Sequence, residues 1–276
     1  MARLNANVRH RSEVGREQAA LMYRLYATYY EATCPRRFAE DLAAKDFVIE
    51  LREAGELRGF STLALMAFGE RGERRALFSG DTIIDHRYWG EQALAQAFCM
   101  LAGRLRAQAP AMPLHWFLIS KGHRTYRYLA AFARKYYPNP YEPTPPQAQA
   151  WIDELAAQRF GAAYLPQLGL VRFAQSHGHL RPQWGAVRDT ARERPEIRFF
   201  LERNPRHHQG DELCCITALD SDNLRSFARR AFIEGLHDRT GFRLVPGDLG
   251  KRRALSPPAA ARPGDAEEAA PDPAAA

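Results

Sequence analysis

Apolar positions change their period several times along the chain, and each change marks an element. Over residues 18–33, Leu21, Met22, Leu25, Tyr26 and Tyr29 recur at helical spacing, and Pro35 stops the run. Residues 36–44 predict a second, short helix. Phe47–Glu53 and residues 57–68 are rich in strand formers, and Ala54 and Gly55 between them signal a turn, so they predict an antiparallel hairpin. A second Gly-bearing turn at residues 69–73 leads into a strand over 77–84. The period then returns to helical. Leu94, Ala97, Phe98, Leu101 and Leu105 share one face of a helix over 91–108, closed by Pro110 and Pro113. Residues 114–119 form an unbroken apolar run, as expected of a strand covered on both faces. Thr125, Tyr128, Leu129, Phe132 and Tyr136 define a further helix that ends before Pro138. Strand, helix, strand, helix in this order predicts a right-handed parallel crossover.

The second half is less regular. Residues 146–159 predict a helix opening on proline and carrying Trp151, Ile152 and Leu155. Residues 168–174 and 213–219 are the remaining strand candidates. Between them, residues 175–210 hold three prolines and four histidines and predict mostly irregular chain with a helix near 188–201. A last helix over 221–233 opens on Ser221 as N-cap and carries Leu224, Phe227 and Ala228. Residues 1–14 are polar and aperiodic, which predicts a flexible arm. Residues 254–276 are Ala/Pro-rich with scattered charge and predict a disordered tail. The whole reads as one α+β domain over residues 15–250, with an insertion at about 175–210.

Composition narrows the class. Hydrophobic residues make up 46% and charged residues 26%, as in ordinary soluble globular proteins. No apolar run approaches the ~20 residues that span a bilayer, and the basic start lacks an apolar core behind it. These features predict a cytoplasmic protein. Cys34, Cys99, Cys214 and Cys215 form no CxxC and no zinc spacing, so no metal is expected. In a strand, Cys214 and Cys215 would point to opposite faces. Net charge is +7; the tail from residue 257 carries −3, which leaves +10 on the remainder. That body favours anionic partners such as nucleotide phosphates, nucleic acid or an acidic carrier protein.

One turn carries candidate chemistry. Asp85-His86-Arg87-Tyr88-Trp89-Gly90-Glu91 joins a strand to a helix. A helix start offers unpaired N–H groups and the positive end of the dipole. Gly90 permits close backbone approach, and Arg87 can set a charged fork on a phosphate oxygen.

The element order and this turn resemble the GNAT superfamily of acyl-CoA-dependent acyltransferases over residues 15–138. The family's pyrophosphate signature is Gln/Arg-x-x-Gly-x-Gly/Ala after its fourth strand. Arg87-Tyr88-Trp89-Gly90-Glu91-Gln92 keeps the first two anchors and departs at the last, where Gln92 stands. Ser120-Lys121 stands where the family tends to have Asn after its fifth strand, and Tyr126 and Tyr128 follow on the next helix. Residues 168–174 and 213–219 would be its sixth and seventh strands. The implied fold is a GNAT-like mixed central sheet flanked by helices, with a long insertion between the last two strands.

The resemblance implies transfer of an acyl group from acyl-CoA, or from the phosphopantetheine of an acyl carrier protein, to a small amine or hydroxyl acceptor. Arg87 and Gly90 would hold the donor's phosphates. The pantetheine arm would pair with the backbone of residues 79–84, Ile83 and Ile84 included, and Ser120 would touch a phosphate or cap its helix. Direct attack on a thioester needs a base, an oxyanion donor and an acid for the thiolate. Asp81 is the candidate base, inside a strand where a charge is costly unless used or paired, though it equally suits a solvated strand face; Ser79 shares its face. Tyr126 and Tyr128 are the candidate acids. Tyr128 also suits a core aromatic beside Leu129 and Phe132, and Tyr126 an exposed position. Glu50, His115, His123 and the cluster Asn204-Pro205-Arg206-His207-His208 are secondary candidates that equally suit structural or surface roles. Tyr23, Tyr26, Tyr29 and Tyr30 would line an acyl or acceptor cleft, or simply alternate between core and surface. The basic body suits an acidic carrier.

Two rival readings remain open. A pI near 9.4, the run 225–230 and Lys251-Arg252-Arg253 suit nucleic acid, but no helix–turn–helix, RRM or zinc-finger pattern accompanies them. A GNAT-shaped domain that binds a ligand or partner without catalysis is the other.

Overall fold

The predicted hairpin lies one strand in from the edge of an eight-stranded mixed sheet. In the computed structural model, which describes residues 4–187 and 189–238, β3 (Phe47–Glu53) and β4 (Glu56–Phe68) pair antiparallel. Ala54 and Gly55 take positive φ of 48° and 85°, the twist that a two-residue hairpin needs. β5 (Arg74–Ile84) pairs antiparallel with β4, and β6 (Leu114–Ser120) joins β5 in parallel after α3 (Ala93–Gln108). Beyond β6 lie β10 (Glu212–Ala218), β8 (Leu170–Val171) and β7 (Tyr164–Leu165), all antiparallel. The resulting order, β3-β4-β5-β6-β10-β8-β7, places the predicted sixth and seventh strands side by side despite the insertion between them.

Side-chain alternation divides the core between the two faces. Phe47, Ile49, Leu77, Leu118 and Cys215 meet α3, α4 (His123–Phe132) and α9 (Ser226–His237). Ala76, Phe78, Phe117, Cys214 and Ile216 meet α5 (Pro146–Phe160). Cys214 and Cys215 do point to opposite faces. Val48, Phe60 and Ile83 pack under α1 (Arg16–Tyr29) and α2 (Pro35–Ala43). No helix among the described residues is long and apolar enough to cross a membrane.

Three expectations fail, each for a physical reason. The N-terminal residues are no arm: β1 (Asn5–His10) pairs antiparallel with β3, from Asn5↔Arg52 to His10↔Phe47, and Leu4 is buried. An edge strand with one wet face carries polar residues, so its sequence reads as aperiodic. The insertion is built chain. β9 (His179–Leu180) pairs with β2 (Tyr30–Glu31) right after α1, and α6 (Pro182–Gly185), α7 (Asp189–Arg192) and α8 (Pro195–Arg203) follow. The last helix starts at Ser226, because the Asp220 carboxylate accepts the N–H groups of Asp222 and Asn223 and folds that stretch into a turn. Arg188, Lys251-Arg252-Arg253 and the tail predicted over 254–276 lie outside the described residues.

α3 and α9 cross with almost no side chain between them. A Cβ on Gly103 would lie 2.1 Å from the Phe232 carbonyl oxygen, and one on Gly235 would lie 2.1 Å from that of Met100. Backbone cannot yield as a flexible side chain does. Gly103→Ala should therefore destabilise by about 1–3 kcal/mol despite alanine's better helix propensity. Thermal denaturation checks this, and an unchanged or raised Tm would show that the crossing is looser than described.

Candidate active site

β5 and β6 pair from Arg75↔Leu114 to Ser79↔Leu118 and then separate. Residues 80–84 of β5 run on with a partner only on the β4 side, while β6 continues beside β10. A bulge accompanies the split. Ser61 pairs with Thr82 but Leu63 pairs with Ser79, so three steps on β5 oppose two on β4. The extra residue resets which side chains face which layer. Ser79 and Thr82 both turn toward α3 and α4, and Asp81 turns toward α1 and α2. The expectation that Ser79 and Asp81 share a face fails here, since strict alternation assumes an unbulged strand.

Two hollows flank the split. On the α3/α4 side lies a narrow apolar slot of about 30 Å³, with Ser79, Phe98, Trp116 and Tyr128 in its walls. On the α1/α2 side lies a chamber of about 120 Å³ that takes in Tyr26, Tyr30, Asp41, Asp81, Lys121 and Glu212. Thr82 and Thr125 line both and so stand between the two hollows. In the slot, the Trp116 indole N–H donates to Ser79 Oγ at 2.8 Å, and the hydroxyls of Ser61 and Thr82 are 2.8 Å apart.

The chamber gathers buried charge. Burial pushes the Asp81 carboxyl up to about 6; Asp41 adds to the rise, while Lys121, Lys45 and Arg159 oppose it. Glu212 is pushed up to about 7 by burial, against the pull of the Lys121 ammonium at 3.5 Å and with a further rise from Asp81. Asp41 goes the other way. Burial alone would raise it, but ion pairs with Lys45 and with Arg159, the latter at 3.6 Å, hold it below the usual range. Lys45 is 4% exposed, and burial lowers its pKa. Gly80 makes room for it: a Cβ there would stand 2.7 Å from Lys45 Cε. Arg159 lies 4.1 Å over the Phe78 ring. The Tyr26 and Tyr30 rings stack at 4.5 Å, and burial raises both phenols. His177 comes from the insertion and lies flat on Phe173 at 3.6 Å; burial pushes it down to about 4, so it is neutral at pH 7. Two carboxyls that titrate near neutrality in one cleft are what acid–base chemistry calls for.

The sequence candidates fall unevenly on this site. Asp81 and Tyr128 line it, on opposite sides of the gap. Tyr126 does not: it is fully buried, not exposed, and its hydroxyl donates to the Pro138 carbonyl at 2.9 Å. Ile83 packs into the α1/α2 core, and the Ile84 carbonyl accepts the Trp89 indole N–H at 2.9 Å. Ser120 Oγ donates to the Gly122 carbonyl at 2.7 Å and closes the turn into α4. None of these three lines either hollow. Gly90 has φ of 100°, which explains the glycine at that turn. α3 has no side-chain cap, which leaves its first N–H groups available to an anion. Arg87, however, is folded back: its Nε lies 3.1 and 3.2 Å from the Asp85 carboxylate oxygens. The insertion also reaches this turn, where Trp184 packs on His86 and Trp89 with centroids 4.9 and 5.6 Å away. Among the secondary candidates, Glu50 is fully buried and ion-paired to Arg52 and Arg9, and Asn204 is buried and donates to the Asp211 carbonyl. His123 is buried at the start of α4, and His115 lies at the opposite end of β6.

Sequence reasoning missed Asp41, Lys45, Thr82, Thr125 and Glu212. One signal was present for Glu212, a charge that opens the apolar run 213–219. The first-helix aromatics were the better guess, since Tyr26 and Tyr30 do line the chamber. Among the described residues, no group of three or more His, Cys, Asp and Glu side chains is placed to hold a metal ion.

No protein-family model and no curated protein matches the chain. Solved structures do. A conserved protein of unknown function from Enterococcus faecalis, a probable N-acyltransferase, is 14% identical over 48% of this chain and 33% of its own length, with a TM-score of 0.36. Escherichia coli ElaA is 17% identical over 51% of this chain and 95% of its own, with a TM-score of 0.35. YhbS, a GNAT family N-acetyltransferase from Escherichia coli solved with CoA, is 14% identical over 48% and 69%, with a TM-score of 0.33. Apart from the short β2, the order of elements from α1 to α4 is the one the sequence predicted.

Proposed function

We propose that this protein is an acyltransferase that moves an acyl group from a thioester donor to a small amine or hydroxyl acceptor by direct attack. The observation that carries this reading is the gap between β5 and β6, flanked by an apolar slot and a charged chamber with Thr82 and Thr125 in the walls of both. A pantetheine arm is thin and carries amides, and an unpaired strand edge beside an apolar slot suits it. The donor is acyl-CoA or the phosphopantetheine of an acyl carrier protein. Its phosphate would sit at the start of α3, where Gly90 turns the chain and Arg87 would exchange Asp85 for the phosphate.

The acceptor would enter from the chamber. Its nitrogen or oxygen bonds to the thioester carbonyl carbon while Asp81 takes its proton. The carbon–sulfur bond then breaks, and Tyr128, half-buried in the slot with its phenol raised by burial, protonates the leaving thiolate. Solvent returns the tyrosine's proton and removes that of Asp81. The second reading, a GNAT-shaped domain that binds without turnover, is favoured by one observation: Arg87 already has a carboxylate partner in Asp85.

Donor binding and turnover separate the two readings. Acetyl-, hexanoyl- and decanoyl-CoA, offered to the full chain, should raise its Tm, and Arg87→Ala should weaken that effect. Thiol release on addition of a panel of amines and alcohols should follow for at least one pair. Stabilisation with no thiol release would favour the binding protein, and neither effect, with acyl-carrier donors also silent, would sink both.

Asp81 gives a prediction with two readouts. kcat/KM should rise with pH through about 6 and then level, and Asp81→Asn should cost roughly 10²-fold or more. Stability should move the opposite way. The folded pKa lies above the ordinary 3.8, so ionising Asp81 costs the folded state. Stability is fully present below about 4 and is lost as pH climbs through about 6. At pH 8 Asp81→Asn should therefore raise Tm by about 2–4 °C, and at pH 4 it should leave Tm nearly unchanged. Calorimetry at the two pH values checks this, and equal effects at both would contradict it.

A further inference from the structure

The chamber beside Asp81 holds cations that proton removal from an acceptor does not use. Lys121 follows β6 and lines the chamber, with its side chain 10% exposed. Its ammonium lies 3.5 Å from the Glu212 carboxylate, longer than the roughly 2.7–2.9 Å of a charge-assisted hydrogen bond, so donors are left over. Glu212 is itself pushed up to about 7, so at neutral pH it neutralises Lys121 only in part. Arg37 of α2 lines the same chamber. Its Nη1 donates to the Ser176 carbonyl at 2.9 Å, which uses one N–H of the fork.

These two cations converge. Burial lowers the His177 pKa, and the charges of Arg37 and Lys121 lower it further, so both stand near one imidazole. That ring comes from the insertion and lines the chamber, where a neutral imidazole can add an N–H donor beside the two charges.

Asp81 supplies the other sign. Among the described residues its carboxylate has no ion pair and no hydrogen bond, and the hydroxyls of Tyr26 and Tyr30 have no partner either. None of these oxygens is sealed off. Tyr26 is only 4% exposed, so its hydroxyl opens onto the chamber it lines.

A buried charge without a counter-charge is costly. A plain amine would meet Asp81 but bring an ammonium towards Arg37 and Lys121. A dicarboxylate would suit those cations and be repelled by Asp81 and Glu212. A molecule with an amine at one end and a carboxylate at the other matches both signs, and a phenol can bond to either end.

We propose that the acceptor of the acyl-transfer reading, on which this step rests, is a zwitterion of the free amino acid class. Its amine lies at Asp81 and its carboxylate among Arg37, Lys121 and His177. The bound ammonium gives one proton to solvent before attack. Asp81 takes the second as the nitrogen bonds to the thioester carbon and the carbon–sulfur bond breaks. The products are the free thiol and an N-acyl amino acid.

The test uses the full chain, with and without CoA, and follows binding of each coded amino acid by calorimetry. Every binder is then compared with its carboxamide and with the amine left when its carboxyl group is removed. At least one amino acid should bind saturably, and its amide and amine should bind about tenfold more weakly. Lys121→Met removes the charge and keeps most of the bulk. It should weaken the amino acid about tenfold and leave the amine's affinity unchanged, whereas a general loss of structure would weaken both. No saturable binding by any coded amino acid overturns the proposal, as does an amide or amine that binds as tightly as its parent. The comparison of ligands on the unaltered chain stands even where the variant folds poorly. Selective binding with no thiol release from any thioester donor keeps the carboxylate anchor and sinks the acyl-transfer reading. Turnover of plain amines with kcat/KM equal to that of the amino acids keeps the acyl-transfer reading and sinks the anchor.

Discussion

Past Ser79 the hydrogen bonds that hold β5 to β6 are gone, and the layout of the candidate site follows from their loss. Parallel strands in a closed sheet would bury their edge groups against each other. Here residues 80–84 keep one edge unmatched beside an apolar slot. An unpaired buried N–H or C=O costs about 1–3 kcal/mol, so a sheet tolerates such an opening only where water or a ligand completes it. The bulge at the same place, between the Ser61 and Leu63 pairings, keeps β5 bonded to β4 while its far edge peels away. It also sends Asp81 to the opposite layer from Ser79 and Thr82. One irregularity of one residue thus sets an apolar slot and a charged chamber on the two sides of the strand, with Thr82 in the walls of both.

Placing charge beside that gap requires support from beneath. Asp41, Lys45 and Arg159 form an ionic group under β5 in which Lys45 and Arg159 are buried and Asp41 is partly exposed, and Lys45 reaches it only because Gly80 has no side chain. Such a group adds little net stability, yet removal of Asp41 would leave two buried cations uncompensated. Their effect on Asp81 is a balance. Asp41 opposes its ionisation, and the cations favour it, so the carboxyl sits near neutrality instead of far above it. The same holds for Glu212 beside Lys121. Both carboxyls are therefore tuned by groups on α2, α5 and the β6–α4 turn, elements distant from each other in the chain.

That distance explains what the sequence did and did not disclose. Hydrophobic period is local, and it located the strands from 47 to 120 and the helices around them to within a few residues. It placed Asp81 in a strand and Tyr128 on a helix, and both line the site. It failed for Tyr126, because a helix wheel cannot tell that a later loop brings the Pro138 carbonyl to its hydroxyl. It failed for Ser79 because a bulge leaves no mark in an apolar run. It also could not pair Asp41 with Lys45 and Arg159, since the latter arrives from a helix more than a hundred residues on. The edge strand β1 was missed for the opposite reason, being too polar to read as a strand at all.

The turn at residues 85–90 shows how a local pattern acquires a different meaning in the fold. Arg87 and Gly90 keep the spacing of a phosphate turn, and the free start of α3 supplies N–H groups. Yet Asp85 holds the guanidinium and is itself held well below the usual carboxylate range by it. A phosphate would have to displace that pair, in which Arg87 is exposed but Asp85 is buried, so the exchange would leave a buried carboxylate without its cation. The insertion sets the stricter limit. Trp184 rests on His86 and Trp89, and the Arg181 N–H donates to the Tyr29 carbonyl, so this face of the turn is covered. A donor headgroup bound as proposed would approach from the α3 side, over Gly90, where a Cβ would meet nothing within 4 Å.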